Sequence, residues 1–151
     1  MKKTTFLFLF LAAGAASWIS GILPGAFYGP AELSAAAGRP DRVVVYQFHR
    51  RFRCEECYKL EAAIGETLNT HFPEQLADGK LVFNVVDLDA EGNGHYTQEY
   101  DFFYNTVIVV DVRGGRDVRF KNIEKVWQLA GERDLLMEFV RSEVEEYLRG
   151  P

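Results

Sequence analysis

Two cysteines, Cys54 and Cys57, are all the thiol chemistry that the 151 residues hold. With no second CxxC, a four-thiolate zinc site cannot be assembled, and a metal would have to recruit His49, His71 or His95. No cysteine precedes Cys54, which excludes lipid attachment through a thiol in the N-terminal stretch. Cationic excess is missing too. Seventeen Lys and Arg stand against 22 Asp and Glu, a formal charge of −5, so the electrostatic footprint of a nucleic-acid binder is absent. Internal repeats and low-complexity tracts are also absent. What the chain does hold is apolar mass: hydrophobic residues make up 48% and aromatics 14%, enough for a packed core. Its length suits one domain and a leader, not two domains.

The first residues read as an export signal. Lys2 and Lys3 precede the apolar run Phe6 to Leu23, and no further charge appears until Glu32. That run is longer than the roughly 7–15 residues of a signal peptide core and near the lower limit, roughly 17, of a membrane-spanning helix. The expectation is a signal peptide or membrane anchor at 1–23, a linker or trimmed leader at 24–41, and the folded domain at 42–151. A small-residue cleavage site follows Ala37 in "SAAAG". The body is therefore expected to be exported, periplasmic or otherwise extracytoplasmic, secreted or tethered through its N-terminal segment. In such an oxidising compartment two cysteines can form a disulfide.

Within the domain, Val43 to Phe48 is an apolar run of strand length. Leu60, Ile64, Leu68 and Phe72 recur at helical spacing over Glu55 to Phe72, and Pro73 ends the pattern. Leu81 to Val86 reads as a second strand, Tyr96 to Tyr100 as a short helix, and Thr106 to Val112 as a third strand. Gly114-Gly115 then turns the chain into Arg116 to Phe120 as a hairpin. Glu132 to Arg149 places Leu135, Leu136, Phe139, Val140, Val144, Tyr147 and Leu148 on one face of a helix. This order predicts an α/β domain: a mixed sheet flanked by helices, its first two strands parallel and its last two a hairpin.

The cysteines fall where the first strand gives way to the first helix. Free N–H groups and the positive end of the helix dipole face that position, and His49, Arg50, Arg51 and Arg53 add positive charge upstream. Both features favour a thiolate, the form that attacks a disulfide. Cys57 lies one turn further in, within reach of a mixed disulfide on Cys54. Glu55 and Glu56 act the other way: they suit the helix dipole but repel a thiolate. His49, Arg53, Glu55 and Glu56 are thus the residues expected to tune the thiols. A purely structural staple is poorly motivated, because so small a loop gains only about 2 kcal/mol on the chain-entropy model.

The placement of CxxC between that strand and that helix, with "GKLVFNVVDLDAEGNGHYTQEYDFFYNTVIVV" following in register, resembles the thioredoxin-like superfamily from about Arg42 to Leu148. The resemblance implies that Cys54 attacks and Cys57 resolves, with no cofactor beyond the redox-active disulfide and no bound metal. It puts Thr106 at the position of the family's cis-proline in the substrate groove, in a stretch without proline from Pro73 to Pro151. The family's buried acidic residue has no match, since the first strand offers Tyr46 and Gln47. The segments "FHRRFRCEEC" and "FKNIEKVWQL" are further similar to small exported thioredoxin-like subunits of nitrophenyl-compound nitroreductase systems. That similarity implies electron delivery to a protein redox partner, a membrane-bound one included. The membrane itself is a partner if the N-terminal segment stays uncleaved, and nucleic acid is not.

Two other readings stay open at the level of sequence. One is a binding module holding a thiophilic metal or metalloid on the two thiolates, with His49. The other is an interaction domain whose cysteines are incidental.

Overall fold

The computed structural model describes residues 41–150. The leader expected at 1–23, and the linker at 24–41 apart from Asp41, lie outside the described residues.

Strand β1 (Arg42–His49) is followed by helix α1 (Glu55–His71), a short helix α2 (Pro73–Ala77) and strand β2 (Leu81–Asp87). A 3-10 turn (Asn93–His95) leads into the short helix α3 (Tyr96–Glu99). Then come β3 (Thr106–Arg113), β4 (Arg116–Asn122), the single-turn helix α4 (Lys125–Gln128) and the long α5 (Arg133–Arg149). Pro73 does end α1, but it also opens α2, where a missing N–H costs nothing. Among the described residues no helix is long and apolar enough to cross a membrane.

The sheet runs β2-β1-β3-β4, with β1 and β2 parallel and the other two pairings antiparallel. This is the mixed sheet expected from the element order, and with α1 crossing from β1 to β2 it is a thioredoxin-like fold. Gly114 and Gly115 both take positive φ, +56° and +78°, the geometry that a two-residue turn between right-twisted strands requires.

Alternation along the central strands splits the core in two. Val43, Val45, Val107 and Val109 face α1 and α5, where they meet Leu60, Ile64, Leu68, Leu136, Val140 and Val144. Val44, Phe48, Ile108 and Val110 face the other way, under Leu88, Tyr96, Tyr100 and Phe102. Each fully buried large side chain contributes about 1.5–3 kcal/mol, so the two layers fix the sheet firmly. Leu135 does not join its expected face: it is 53% exposed at the first turn of α5.

The strand directions decide where a site can form. β1 and β2 end, β3 begins and β4 ends at one edge of the sheet. The loops after β1, after β2 and before β3 therefore converge there, with the N-terminus of α1 among them. Buried charge lies at the opposite end of β3, where Arg113 holds the fully buried Asp111 at 2.7 Å.

Candidate active site

Cys54 is the N-cap of α1, extended at φ −83° and ψ 167°, and its carbonyl accepts the Cys57 N–H at 3.1 Å. One helical turn brings Cys57 underneath it. The two are free thiols with Sγ atoms 2.8 Å apart, Cys54 exposed and Cys57 buried at 1%. Closing that distance to a bond of about 2.05 Å takes side-chain rotation and no rearrangement of the helix.

The cations upstream are engaged elsewhere. Arg50 donates to an Asp89 carboxylate oxygen at 3.0 Å, and the Arg51 backbone N–H donates to the other at 2.9 Å. The Arg51 guanidinium reaches the Asp89 carbonyl at 3.2 Å. These contacts hold the Asp89 carboxyl below the usual carboxylate range, the Arg51 N–H foremost. Arg53 pairs with Glu61 and stacks 4.2 Å over the Tyr58 ring, with a long contact to the Cys57 carbonyl at 3.5 Å. His49 turns its Nδ1 to the Arg50 carbonyl at 2.8 Å. Glu55 is tied to Lys59 at 2.7 Å on the exposed side of α1.

The Cys54 thiol is accordingly pushed above its ordinary pKa. The hydrogen bond it shares with Cys57 is the main cause, followed by partial desolvation, and the negative charges of Cys57 and Glu56 add to it. A backbone contact from Cys57 opposes the rise without reversing it. The positive potential expected from the arginine run does not prevail, because Asp89 and Glu61 neutralise it at short range.

Thr106 is buried at the start of β3, opposite Phe48, and its hydroxyl donates to Asn122 Oδ1 across the hairpin. No cis peptide bond occurs among the described residues. The side chain that meets the thiols is its neighbour. Asn105 Nδ2 lies 3.5 Å from Cys57 Sγ, while Asn105 Oδ1 accepts the Arg50 N–H at 3.0 Å. Gln47, fully buried on β1, donates to the Cys57 carbonyl at 3.0 Å. Asn105, Gln47 and Asp89 thus belong to the site although sequence reasoning did not assign them to it. Two of them left a trace there: Gln47, which stands in the first strand where the family has its buried acid, and Asp89, which lies in the acidic stretch Asp87 to Gly94 that reads from sequence as a solvated turn. The acidic loop after β2 is more than a solvated turn, since Asp89 secures the backbone ahead of Cys54.

Beside the thiols opens a cleft of about 400 Å³ lined by Arg50, Phe103, Tyr104, Asn105 and Trp127. Phe103 and Tyr104 are largely exposed, as is Phe52, two residues before Cys54, at 92%. Among the described residues no group of three or more His, Cys, Asp or Glu gathers that could hold a metal ion. His71 ends α1, and His95 packs on Tyr96 in the loop.

No family model matches the chain, and no curated protein does. Solved structures similar to it include oxidised thioredoxin from Plasmodium falciparum, at TM-score 0.45 and 17% identity over 76% of this chain and 91% of that one. Thioredoxin O2 from Arabidopsis thaliana, in the oxidised state, gives 0.41 and 18% over 71% and 88%. The zinc-bound form of human ERp44 gives 0.45 and 20% over 74% and 28%.

Proposed function

We propose that the protein is a thiol–disulfide oxidoreductase that cycles the Cys54–Cys57 pair between dithiol and disulfide. The observation that carries this reading is the pairing of an exposed thiol at a helix N-cap with a buried one, their sulfurs 2.8 Å apart. In the reducing direction the Cys54 thiolate attacks one sulfur of a partner disulfide, forming a mixed disulfide and expelling the partner's other sulfur as a thiolate. Cys57, having lost its proton to water, then attacks Cys54 Sγ. The internal disulfide forms and the second partner sulfur leaves. Two electrons pass from the dithiol to the partner, and the reverse sequence oxidises a partner dithiol.

The finer reading is an exported electron carrier, working outside the cytoplasm in an oxidising compartment and delivering electrons to a protein partner. Such a partner fits the cleft and exposed aromatics beside the thiols, where an apolar segment could dock. Delivery to a nitroreductase-type partner, the role in the subfamily that the sequence resembles, is the most specific form of this proposal.

The test is the equilibrium reduction potential of the pair together with trapping by single variants. A working couple lies at roughly −120 to −270 mV, whereas a structural bridge lies below about −300 mV. With a small disulfide as probe, Cys54→Ser should abolish exchange and Cys57→Ser should accumulate the mixed adduct. Equal alkylation of both thiols with no trapped adduct would sink the reading.

A further inference from the structure

We infer that Asn105 is the group that makes the buried Cys57 sulfur usable as a nucleophile, by holding an N–H against it as its proton leaves. The inference rests on the dithiol reading above and adds a catalytic contact to it.

Resolution of the mixed disulfide needs a thiolate on a sulfur that is only 1% exposed. Burial disfavours that charge unless a donor faces it. α1 does not supply one, because Cys57 lies inside the helix and its own N–H is spent on the Cys54 carbonyl. Gln47, the buried polar group beneath the pair, cannot take up a proton at neutral pH, and its amide is directed to the Cys57 carbonyl. Arg53 is drawn to Glu61. The Cys54 thiol shares a hydrogen bond with Cys57 in the dithiol, but in the mixed disulfide Cys54 Sγ has no proton to give, and among the described side chains Asn105 is then the one whose N–H donates to Cys57 Sγ, at 3.5 Å.

Its orientation is fixed. The Arg50 N–H donates to Oδ1 at 3.0 Å, which leaves the NH2 end for the sulfur. Arg50 is in turn anchored through Asp89. The loops after β1, after β2 and before β3 thereby hold one amide against one sulfur. Such a donor costs no reorganisation when charge develops on the sulfur. In the step itself the Cys57 S–H bond breaks, its proton goes to water, the Cys57–Cys54 bond forms, and the partner sulfur departs with the bonding electrons.

The first measurement uses the full chain carrying Cys54→Ala, which like the mixed disulfide has no donor at position 54, and in which the ultraviolet thiolate absorbance of Cys57 is followed against pH. Adding Asn105→Ala should move its appearance upward by about one to two pH units, the size expected for a hydrogen bond to a charged group. Asn105→Asp keeps the acceptor for the Arg50 N–H, so it preserves the loop, yet it replaces the donor by a carboxylate and should move the curve at least as far. A curve unmoved in both variants overturns the role of Asn105. The second measurement, with Cys54 and Cys57 both present, follows resolution of the adduct with a small disulfide. Asn105→Ala should slow resolution about tenfold at neutral pH and should converge with the unsubstituted protein at high pH, while adduct formation at Cys54 changes by less than about twofold; a loss of fold alone would not give that convergence. If the unsubstituted protein never resolves its adduct, the dithiol reading fails, and with it the nucleophilic use of Cys57. If it resolves normally and Asn105→Ala does too at every pH, only the inference fails.

Discussion

At the scale of single residues, the site's chemistry turns on how two sulfurs share a proton. Cys54 sits where a helix terminus should favour its thiolate, yet its pKa is raised, chiefly by the hydrogen bond with Cys57. A thiol raised in this way is less reactive at neutral pH than its exposure suggests. Its alkylation rate should therefore keep climbing with pH beyond the ordinary thiol value of about 8.5. Replacing Cys57 by Ala removes the largest cause of the rise and the second sulfur's charge, but leaves the opposing backbone N–H in place. The midpoint of Cys54 alkylation against pH should then move to lower pH; a midpoint unchanged or moved upward would show that the second thiol is not what raises Cys54. The location of the pair could be read from the sequence, because a run of β-formers meets helical spacing at that point. Its electrostatics could not. Asp89 stands 38 residues beyond Arg51 and Asn105 stands 48 beyond Cys57, so only the fold brings them together.

At the scale of elements, α1 and α5 carry the site by packing against each other and against β1 and β3. Leu60 is fully buried in that layer, one turn beyond Cys57. Leu60→Ala should lower unfolding stability by about 2–5 kcal/mol, whereas Leu135→Ala should stay within about 0.5 kcal/mol. Urea titration of the two variants checks both values, and equal losses would mean that α5 packs through a different face. The helical spacing of Leu135 matched its neighbours, but the residue lies at the first turn of α5, just after the loop that follows Gln128, and is 53% exposed there. The long helices and all four strands were legible because each repeats its pattern over several turns or pairs. Of the single-turn helices only α3 was read, as Tyr96 to Tyr100; α2 and α4 were not, since so few residues hold no period. A proline that ends one helix can equally open the next, and Pro73 does both.

At the scale of the whole molecule, the two antiparallel turnings of the sheet matter most. Because β3 runs against β1, its first residues share an edge with the last residues of β1 and β2, and β4 returns to the same edge. Thiols, donor amide and aromatic cleft are thereby gathered at one end, with the buried Asp111 ion pair at the other. Single exposed apolar residues are ordinary on a protein surface, but Phe103 and Tyr104 flank a cleft that also contains Asn105, the thiol's own neighbour. A protein partner would bury these rings, whereas a small disulfide reaches Cys54 from solvent without them. The two substrate sizes should consequently separate under mutation. In the double variant Phe103→Ser, Tyr104→Ser, exchange with a small aromatic disulfide should remain within about twofold of the unsubstituted protein. Exchange with a folded, disulfide-bonded protein such as insulin should fall about tenfold, equivalent to about 1.4 kcal/mol of lost transition-state contact. Equal slowing of both reactions would mean that the rings shape the thiol site itself. No slowing of either would mean that protein disulfides reach Cys54 by another face, with Phe52 the next residue to replace.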